Sequence, residues 1–306
     1  MKDIRLDQHI HSSLSYWEAD DTMLLETIKA LKLDFAAITD YDNVNHQLQQ
    51  KIESSWVHTC SGVEMSVVWP EGNEMHILLY AKCFSKWISD ILAASIEWRK
   101  NALRKKMQSL NDCFFEIDEE CFLNSVRAKT GESYRFDRHD LAKYIFSINK
   151  HRNKVIEIVG EKIDAVTFWE QFLEDYDEVE GKGWKFHYQY LPSLQEVMKF
   201  TDNNTVISLA HPQRLFRNTQ EFKRRIWQYV DLGINALEIS ATAHKAWEHD
   251  IIRAKKEHWV ILTFWGGSDS DKIKGEDHKY VWRINPELDA GIVLENYRAF
   301  KKIINS

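Results

Sequence analysis

Two histidines near the start of the chain are spaced in a way that suits metal binding. His9 and His11 follow the apolar stretch Ile4 to Leu6, in the run Asp7-Gln8-His9-Ile10-His11-Ser12. On an extended backbone, side chains two residues apart point to the same face, so both imidazoles can bind one ion. A His-x-His pair is also common as surface decoration, so this stretch alone leaves both interpretations open.

Further residues of the same chemical character follow predicted strands. The patterns at 34–39, 56–63, 205–210 and 259–264 predict strands. At or just past their ends lie Asp40, Glu64, His211 and Asp269. His76 lies inside another predicted strand, 75–81. Because a parallel α/β barrel gathers its active site at the C-terminal ends of its strands, these positions predict one shared site.

Imidazole and carboxylate groups together form the ligand set of Zn²⁺, Mn²⁺ or Fe²⁺ in hydrolases, unlike the thiolates of structural zinc sites. A carboxylate such as Glu64 can bridge two ions. Two ions roughly 3.5–4 Å apart activate a water molecule and neutralise phosphoryl oxygens. We therefore expect a phosphate ester hydrolase with two divalent metal ions.

Each residue also has a simpler interpretation. His76 could be a core histidine, His211 could shape the turn before Pro212, and Asp269 could cap a helix. Glu64 is harder to explain in this way because it lies between Val63 and Met65, and an unpaired buried carboxylate is costly. Taken together, the residues favour a site.

Composition limits the class of protein. The 306 residues are 44% hydrophobic and carry a net charge of −7, which argues against a broad basic face for long duplexes. No apolar run approaches the roughly 20 residues that span a bilayer, and the N-terminus lacks the apolar block of a signal peptide. The four cysteines have no C-x-x-C spacing. These features predict a cytoplasmic protein that is not associated with a membrane.

The order of predicted elements suggests two parts. Strands alternate with helices in 1–83 and 191–306, whereas 84–190 is mostly helical. A helical insertion of this size can form a lid or a substrate wall, or it can be inert decoration. The chain is expected to finish with a strand at 291–293 and a helix at 295–304.

Short motifs along nearly the whole chain resemble, in order and spacing, those of the PHP family, the polymerase-and-histidinol-phosphatase metal-dependent phosphoesterases. The resemblance implies an α/β fold, a distorted (β/α)₇ barrel with a helical insertion subdomain. The matching motifs are Asp7-x-His9-x-His11-Ser12, Thr39-Asp40-Tyr41-Asp42-Asn43, Ser61-Gly62-Val63-Glu64, Met75-His76-Ile77-Leu78, Ala210-His211-Pro212, Leu237-Glu238-Ile239 and Gly267-Ser268-Asp269-Ser270.

The resemblance also implies the ligands of each metal. The first ion would be held by His9, His11, Glu64 and Asp269, and the second by Glu64, His76 and His211. The positions of the family's third site are occupied by Tyr16, Tyr41 and Asp271, of which only Asp271 can still bind a hard cation. This pattern implies that the third metal has been lost as a unit. The two tyrosines either replace part of its role or are inert.

The insertion resembles one branch of the family, the enzymes that remove the 3′-phosphate from nucleoside 3′,5′-bisphosphates and the related 5′-to-3′ exonucleases that trim short RNA. This resemblance implies a phosphorylated nucleotide or a short RNA or DNA end as substrate. Arg214 and Arg138 are candidates to clamp phosphate, although both could be ordinary surface arginines. With Asp40 and Tyr41, they complete the candidate catalytic residues.

Two other functions remain open from the sequence. One is a nuclease for longer single strands, in which insertion aromatics such as Trp169 and Trp184 would stack on bases. The other is a catalytically weakened PHP module that binds a ligand or partner and regulates. Loss of the third site favours this second function, whereas retention of the other six ligands opposes it.

Overall fold

The computed structural model describes residues 4–15, 20–68, 74–112, 115–130, 138–168, 172–173, 191–240, 245–265 and 290–306. Asp269, Asp271, Tyr16, Trp169 and Trp184 lie outside these ranges. The chain divides into two compact units: unit 1 is 1–93 with 192–306, and unit 2 is 94–191. Residues 84–93, which the sequence assigns to the insertion, group with unit 1, because Ile88 and Leu92 are buried in its core.

Strands and helices alternate through most of unit 1. Its strands are β1 Leu6–Ile10, β2 Phe35–Ile38, β3 Ser61–Val68, β4 Glu74–Ala81, β5 Val206–Leu209, β6 Ala236–Ser240 and β7 Ile261–Trp265. Its helices are α1 Asp21–Ala30, α2 His46–Ser54, the start of α3 Lys86–Asp112, α8 Leu194–Met198, α9 Pro212–Leu215, α10 Thr219–Asp231, α11 Lys245–His258 and α12 Ala290–Ile304. The alternation is broken where β4 directly follows β3 and where α10 directly follows α9.

The strands form two hydrogen-bonded sheets. β1 pairs with β2 in parallel, and a second sheet has the order β3-β4-β5-β6-β7. β4 runs antiparallel to both β3 and β5, whereas β5, β6 and β7 are parallel. The all-parallel arrangement expected from the sequence is therefore wrong at β4. Only residues 69–73 separate β3 from β4, too few for the crossover that parallel strands require.

The two sheets also meet along their edges. β1 contacts β7, and β2 contacts β3. The side-chain amide oxygen of Gln8 accepts a hydrogen bond from the backbone N–H of Phe264 at 2.9 Å, and Ala36 N–H donates to the carbonyl of His58 at 2.9 Å. The core of unit 1 lies between these strands and the helices, and Phe300 of α12 packs edge-on against Phe35 and Tyr80.

Three strand predictions differ from the structure. β1 continues through His9 to Ile10, and Glu64 lies inside β3 and not at its end, because β3 pairs with β4 along its whole length, from Ser61↔Ala81 to Val68↔Glu74. The strand expected at 291–293 is the first turn of α12. Val293, Tyr297, Phe300 and Ile304 recur at helical spacing and are buried along one face.

The described part of unit 2 is helical. Its helices are the remainder of α3, α4 Glu119–Thr130, α5 Arg138–Ser147, α6 Asn149–Val159 and α7 Ala165–Phe168. Phe122, Leu141, Ile145 and Phe168 are completely buried, so this unit has apolar packing of its own. No helix in the described ranges of either unit is long and apolar enough to cross a membrane.

Four helix-to-strand turns of unit 1 share one backbone feature. Lys32, Trp56, Gly233 and Trp259 follow helices α1, α2, α10 and α11, and each has a positive φ. A left-handed residue after a helix is most often glycine, because a Cβ atom is unfavourable there. Trp56 and Trp259 are nevertheless 97% and 93% exposed, so they gain almost no burial in return.

Candidate metal site

The carboxylate of Glu64 lies at the centre of a histidine cluster. Its Oε2 atom is 3.0 Å from Nε2 of His9 and 3.0 Å from Nε2 of His11. Its Oε1 atom is 2.8 Å from Nδ1 of His76 and 2.9 Å from Nε2 of His211. Glu64 is completely buried. One carboxylate therefore belongs to two groups of potential ligands, which we call the first triad (His9, His11, Glu64) and the second triad (Glu64, His76, His211).

The second ring nitrogen of each first-triad histidine is held by a hydrogen bond. Nδ1 of His9 is 2.7 Å from Oε1 of Glu238, and a carboxylate can only accept a proton. Nδ1 of His11 is 3.1 Å from Oγ of Ser15, whose single hydrogen is donated to Oδ1 of Asp40 at 2.6 Å. In their neutral forms, both imidazoles therefore carry the proton on Nδ1 and have a lone pair on Nε2.

These lone pairs converge on one point. The two Nε2 atoms are 3.2 Å apart, and each faces the same oxygen of Glu64. Three acceptor atoms at this separation repel one another unless a cation lies between them. Ligand atoms about 2.0–2.1 Å from a tetrahedral zinc ion are roughly 3.3 Å apart, close to the observed separations. The donor atoms and their spacing fit a divalent metal ion.

The second triad is similar in chemistry but more open. His76 is the third residue of β4, and His211 comes two residues after β5. Because β4 is antiparallel, its N-terminal end lies beside the C-terminal end of β5, and the two rings are 5.2 Å apart. The side chain of His76 is 26% exposed, whereas that of His9 is completely buried. The second triad can therefore be reached from solvent.

The metal-free cluster has shifted protonation equilibria. Burial lowers the pKa of His9, but the carboxylates of Glu238 and Glu64 outweigh it and hold this pKa well above its ordinary value. Burial raises the pKa of Glu64, but His9 and His76 outweigh it and hold this pKa well below the usual range. Binding of a cation at this cluster is therefore expected to be coupled to release of a proton.

Asp40 lies behind the first triad and supports His11. Its carboxylate accepts hydrogen bonds from the backbone N–H of Ser12 at 2.7 Å and from the hydroxyls of Ser12 and Ser15. Asn45 also donates to Oγ of Ser12, at 2.8 Å. Burial raises the pKa of Asp40 despite these bonds. Because Ser15 connects Asp40 to His11, this buried network fixes the orientation of one imidazole.

Tyr41 lies beside both triads. Its ring stacks on that of His11 with centroids 4.4 Å apart and meets the ring of His76 edge-on at 5.6 Å. Its backbone N–H donates to Oγ of Ser15 at 2.9 Å. The residue is half-buried, so the aromatic face closes one side of the site without covering it.

Neither of the two arginines predicted to contact phosphate belongs to a triad. Arg214 lies on α9, where its N–H donates to the carbonyl of His211 at 2.8 Å and its side chain is exposed. Arg138 begins α5 in unit 2. Asp269, Asp271 and Tyr16 lie outside the described residues, so the predicted fourth ligand of the first metal stays a prediction.

Glu238 also contributes to the site, although the sequence analysis assigns it no role. It is 1% exposed in β6, between Leu237 and Ile239, and it contacts His9 and the backbone of His211. The signal that could have revealed it is the one that singles out Glu64: a carboxylate between two apolar strand residues requires a partner.

Comparisons with known proteins give a likeness of fold. No protein-family model and no curated protein sequence matches the chain. A protein of Bifidobacterium adolescentis, provisionally named a metal-dependent phosphoesterase, has a solved structure that matches with a TM-score of 0.63 and 17% identity, over 96% of this chain and 95% of that one. An amidohydrolase of Chromobacterium violaceum, solved with bound sulfate and no metal, matches with a TM-score of 0.61 and 18% identity, over 85% and 86%. The chain therefore shares its mixed α/β fold with proteins that carry hydrolase names.

Proposed function

We propose that this protein is a metal-dependent phosphoesterase that uses two divalent ions, Mn²⁺, Zn²⁺ or Fe²⁺, one at each triad. The observation that carries the proposal is the division of Glu64: one oxygen faces His9 and His11, and the other faces His76 and His211. A carboxylate that contacts two separate imidazole pairs is the expected bridge of a binuclear centre.

The protein groups have separable tasks in this proposal. When bound, the ions would lower the pKa of a water molecule and neutralise phosphoryl oxygens. Glu238 and Ser15 hold His9 and His11 in the tautomer that directs Nε2 to the ion, and the second triad leaves an open side for substrate. Asp269 is proposed as a further ligand, and Arg214 and Arg138 as phosphate contacts.

The proposed fold is the distorted (β/α)₇ barrel. The contacts of β1 with β7 and of β2 with β3 support it, because they would close the strand order into a ring. The antiparallel β4 would be the distortion, and it places His76 at the same end of the strands as His211.

The proposed substrate is the phosphate ester of a nucleotide or of a short RNA or DNA end. The name of the Bifidobacterium structure supports phosphate ester chemistry, and the sulfate in the Chromobacterium structure supports a site for a tetrahedral oxyanion. Tyr41 would provide an aromatic face beside the two ions, where the family resemblance implies a third ligand site. The count of ions should therefore be two.

Metal analysis combined with phosphate release tests this proposal. We expect about two ions per chain and release of phosphate from a nucleoside 3′,5′-bisphosphate that stops with a chelator and returns with Mn²⁺. His249→Ala is the matched control, because this histidine lies on α11 and is 79% exposed. A chain that binds no metal after reconstitution, or that hydrolyses amides and no phosphate ester, would contradict the proposal.

A further inference from the structure

We propose that Glu238 is a positioning residue for both metal ions, holding one ligand of each triad through the two oxygens of a single carboxylate. The inference rests on the proposed function, since it assigns Glu238 a task in the same centre. The geometry, however, exists in the metal-free chain and can be tested there.

The first contact fixes the ring of His9. Oε1 of Glu238 is 2.7 Å from Nδ1 of His9, and both side chains are buried. This bond keeps the proton on Nδ1 in the neutral imidazole and aims the Nε2 lone pair at Oε2 of Glu64. A carboxylate behind a ligating histidine also makes that imidazole a stronger donor to a metal.

The second contact fixes the backbone of His211. Oε2 of Glu238 accepts the N–H of His211 at 2.5 Å. His211 has φ 29° and ψ 63°, a left-handed conformation that is unfavourable for a residue with a Cβ atom. Pro212 follows directly and restricts the same backbone further. The bond to Glu238 therefore holds a strained residue in the position that brings its Nε2 to Glu64.

A carboxylate is required because both partners are donors. His9 presents an N–H and His211 presents an N–H, so the group between them must accept at both ends. A glutamine has nearly the same shape, but its NH₂ end would face one of these donors. Glu238→Gln must therefore either change the His9 tautomer or lose the His211 bond.

The experiment titrates metal-stripped Glu238→Gln with Zn²⁺ by calorimetry and compares it with the wild-type chain. In Glu238→Gln, which keeps one acceptor oxygen, we expect one binding event to weaken by about 10–100-fold, the usual cost of losing an outer partner of a metal ligand. In Glu238→Ala, which removes both acceptor oxygens, we expect both events to weaken by about this factor. Glu238→Asp should restore part of the affinity, since it keeps two acceptor oxygens. Weakening of one event alone in Glu238→Ala, or of neither, would overturn the inference.

Thr263→Val is the matched control for loss of a buried polar group. Thr263 is buried on β7 at the position paired with Glu238, and its hydroxyl bonds with that of Ser208 at 2.7 Å. We expect this variant to bind both ions with wild-type affinity. Equal weakening of metal binding in the control would show that any buried polar change in the sheet disturbs metal binding. That result would refute a specific role for Glu238.

A readout without metal separates this inference from the proposed function. In metal-free Glu238→Ala, the amide proton of His211 should exchange with solvent at least about 10-fold faster than in the wild-type chain, because its buried acceptor is gone. The control Thr263→Val should leave that rate unchanged. Wild-type protein that binds no metal would contradict the proposed function, whereas an unchanged His211 exchange rate would overturn the role of Glu238.

Discussion

The two triads share one carboxylate but differ in how tightly their histidines are held. In the first triad, the His9 and His11 side chains are at most 1% exposed, and each ring is tied through its second nitrogen, to Glu238 and to Ser15. In the second triad, His76 is 26% exposed and lies at the open side of the site. For the proposed two-metal centre, this difference predicts that the first ion is retained, whereas the second exchanges with solvent and contacts the substrate.

Removal of Glu64, the residue that both triads share, should abolish metal binding at both of them. Glu64→Ala takes a ligand from both triads, so we expect metal content to fall from about two ions per chain to near zero and phosphate release to fall by more than about 100-fold. Elemental analysis and a phosphate assay on the same preparation measure both losses. Retention of one tightly bound ion would mean that Glu64 does not bridge the two sites.

Single histidine variants should separate the two triads. His211→Ala removes a ligand only from the second triad, so we expect one retained ion, an intact fold and loss of hydrolysis. His9→Ala removes a fully buried ligand from the first triad and should lose more metal. The metal content of each variant after gel filtration in a weak chelator shows which variant loses more metal. Equal loss in both variants, or unchanged turnover in His211→Ala, would refute the proposed division.

As pH rises above 6.5, the metal-free fold should lose stability, whereas metal binding should become tighter. The raised pKa of His9 stabilises the metal-free fold below pH 6.5, and this contribution is lost as pH rises through the raised value. The lowered pKa of Glu64 stabilises it above pH 4.5, and this contribution is lost as pH falls. The pair therefore contributes most between these values.

Metal binding competes with the same protons, so its affinity should rise by up to about tenfold per pH unit for each proton released. Thermal unfolding with Zn²⁺ and with a chelator, from pH 5 to pH 8, should give a difference in Tm that grows with pH. A difference that stays constant would show that no proton leaves the first triad when metal binds.

Ser15→Ala should have the smallest effect of these variants and should weaken metal binding at the first triad only. It removes the acceptor for Nδ1 of His11 and one hydroxyl donor to Asp40, while the second triad keeps its contacts. We expect the first ion to bind about threefold to tenfold more weakly and the second to be unchanged. Calorimetric titration resolves the two events, and equal weakening of both would place Ser15 outside the proposed role.

Much of the site was predictable because its signals are local. The spacing of His9 and His11 needs only an extended backbone, and Glu64 is marked by its apolar neighbours. The end of β3 was placed too early because the prediction stopped at the polar residue Glu64, although the apolar residues continue past it to Val68. Pro70, Gly72 and Asn73, which follow, are typical of a connection between antiparallel strands. The strand expected at 291–293 was wrong because three residues cannot reveal the helical period that becomes clear at Phe300.

Its apolar neighbours mark Glu238 as a carboxylate that requires a partner, but this local pattern does not identify the partner. Its partners His9 and His211 are 229 and 27 residues away, and the strain at His211 is a property of the folded backbone. The same applies to the hydrogen bonds of Ser15, which connect His11 to Asp40 in a buried network. Ser15 lies 25 residues from Asp40 and 4 residues from His11. Candidate ligands can be named from the sequence, whereas the hydrogen bonds that orient their side chains require the fold.

The left-handed tryptophans after α2 and α11 lower the stability of the chain at positions that contribute no candidate ligand. Trp56 and Trp259 are almost fully exposed, so replacing either by glycine should relieve backbone strain at little cost in packing and raise stability by about 0.5–1 kcal/mol. Variants of the metal site that fold poorly could be rescued by these two changes without altering a ligand. The stability of the chain can therefore be raised at positions that contribute no candidate ligand, independently of the metal site.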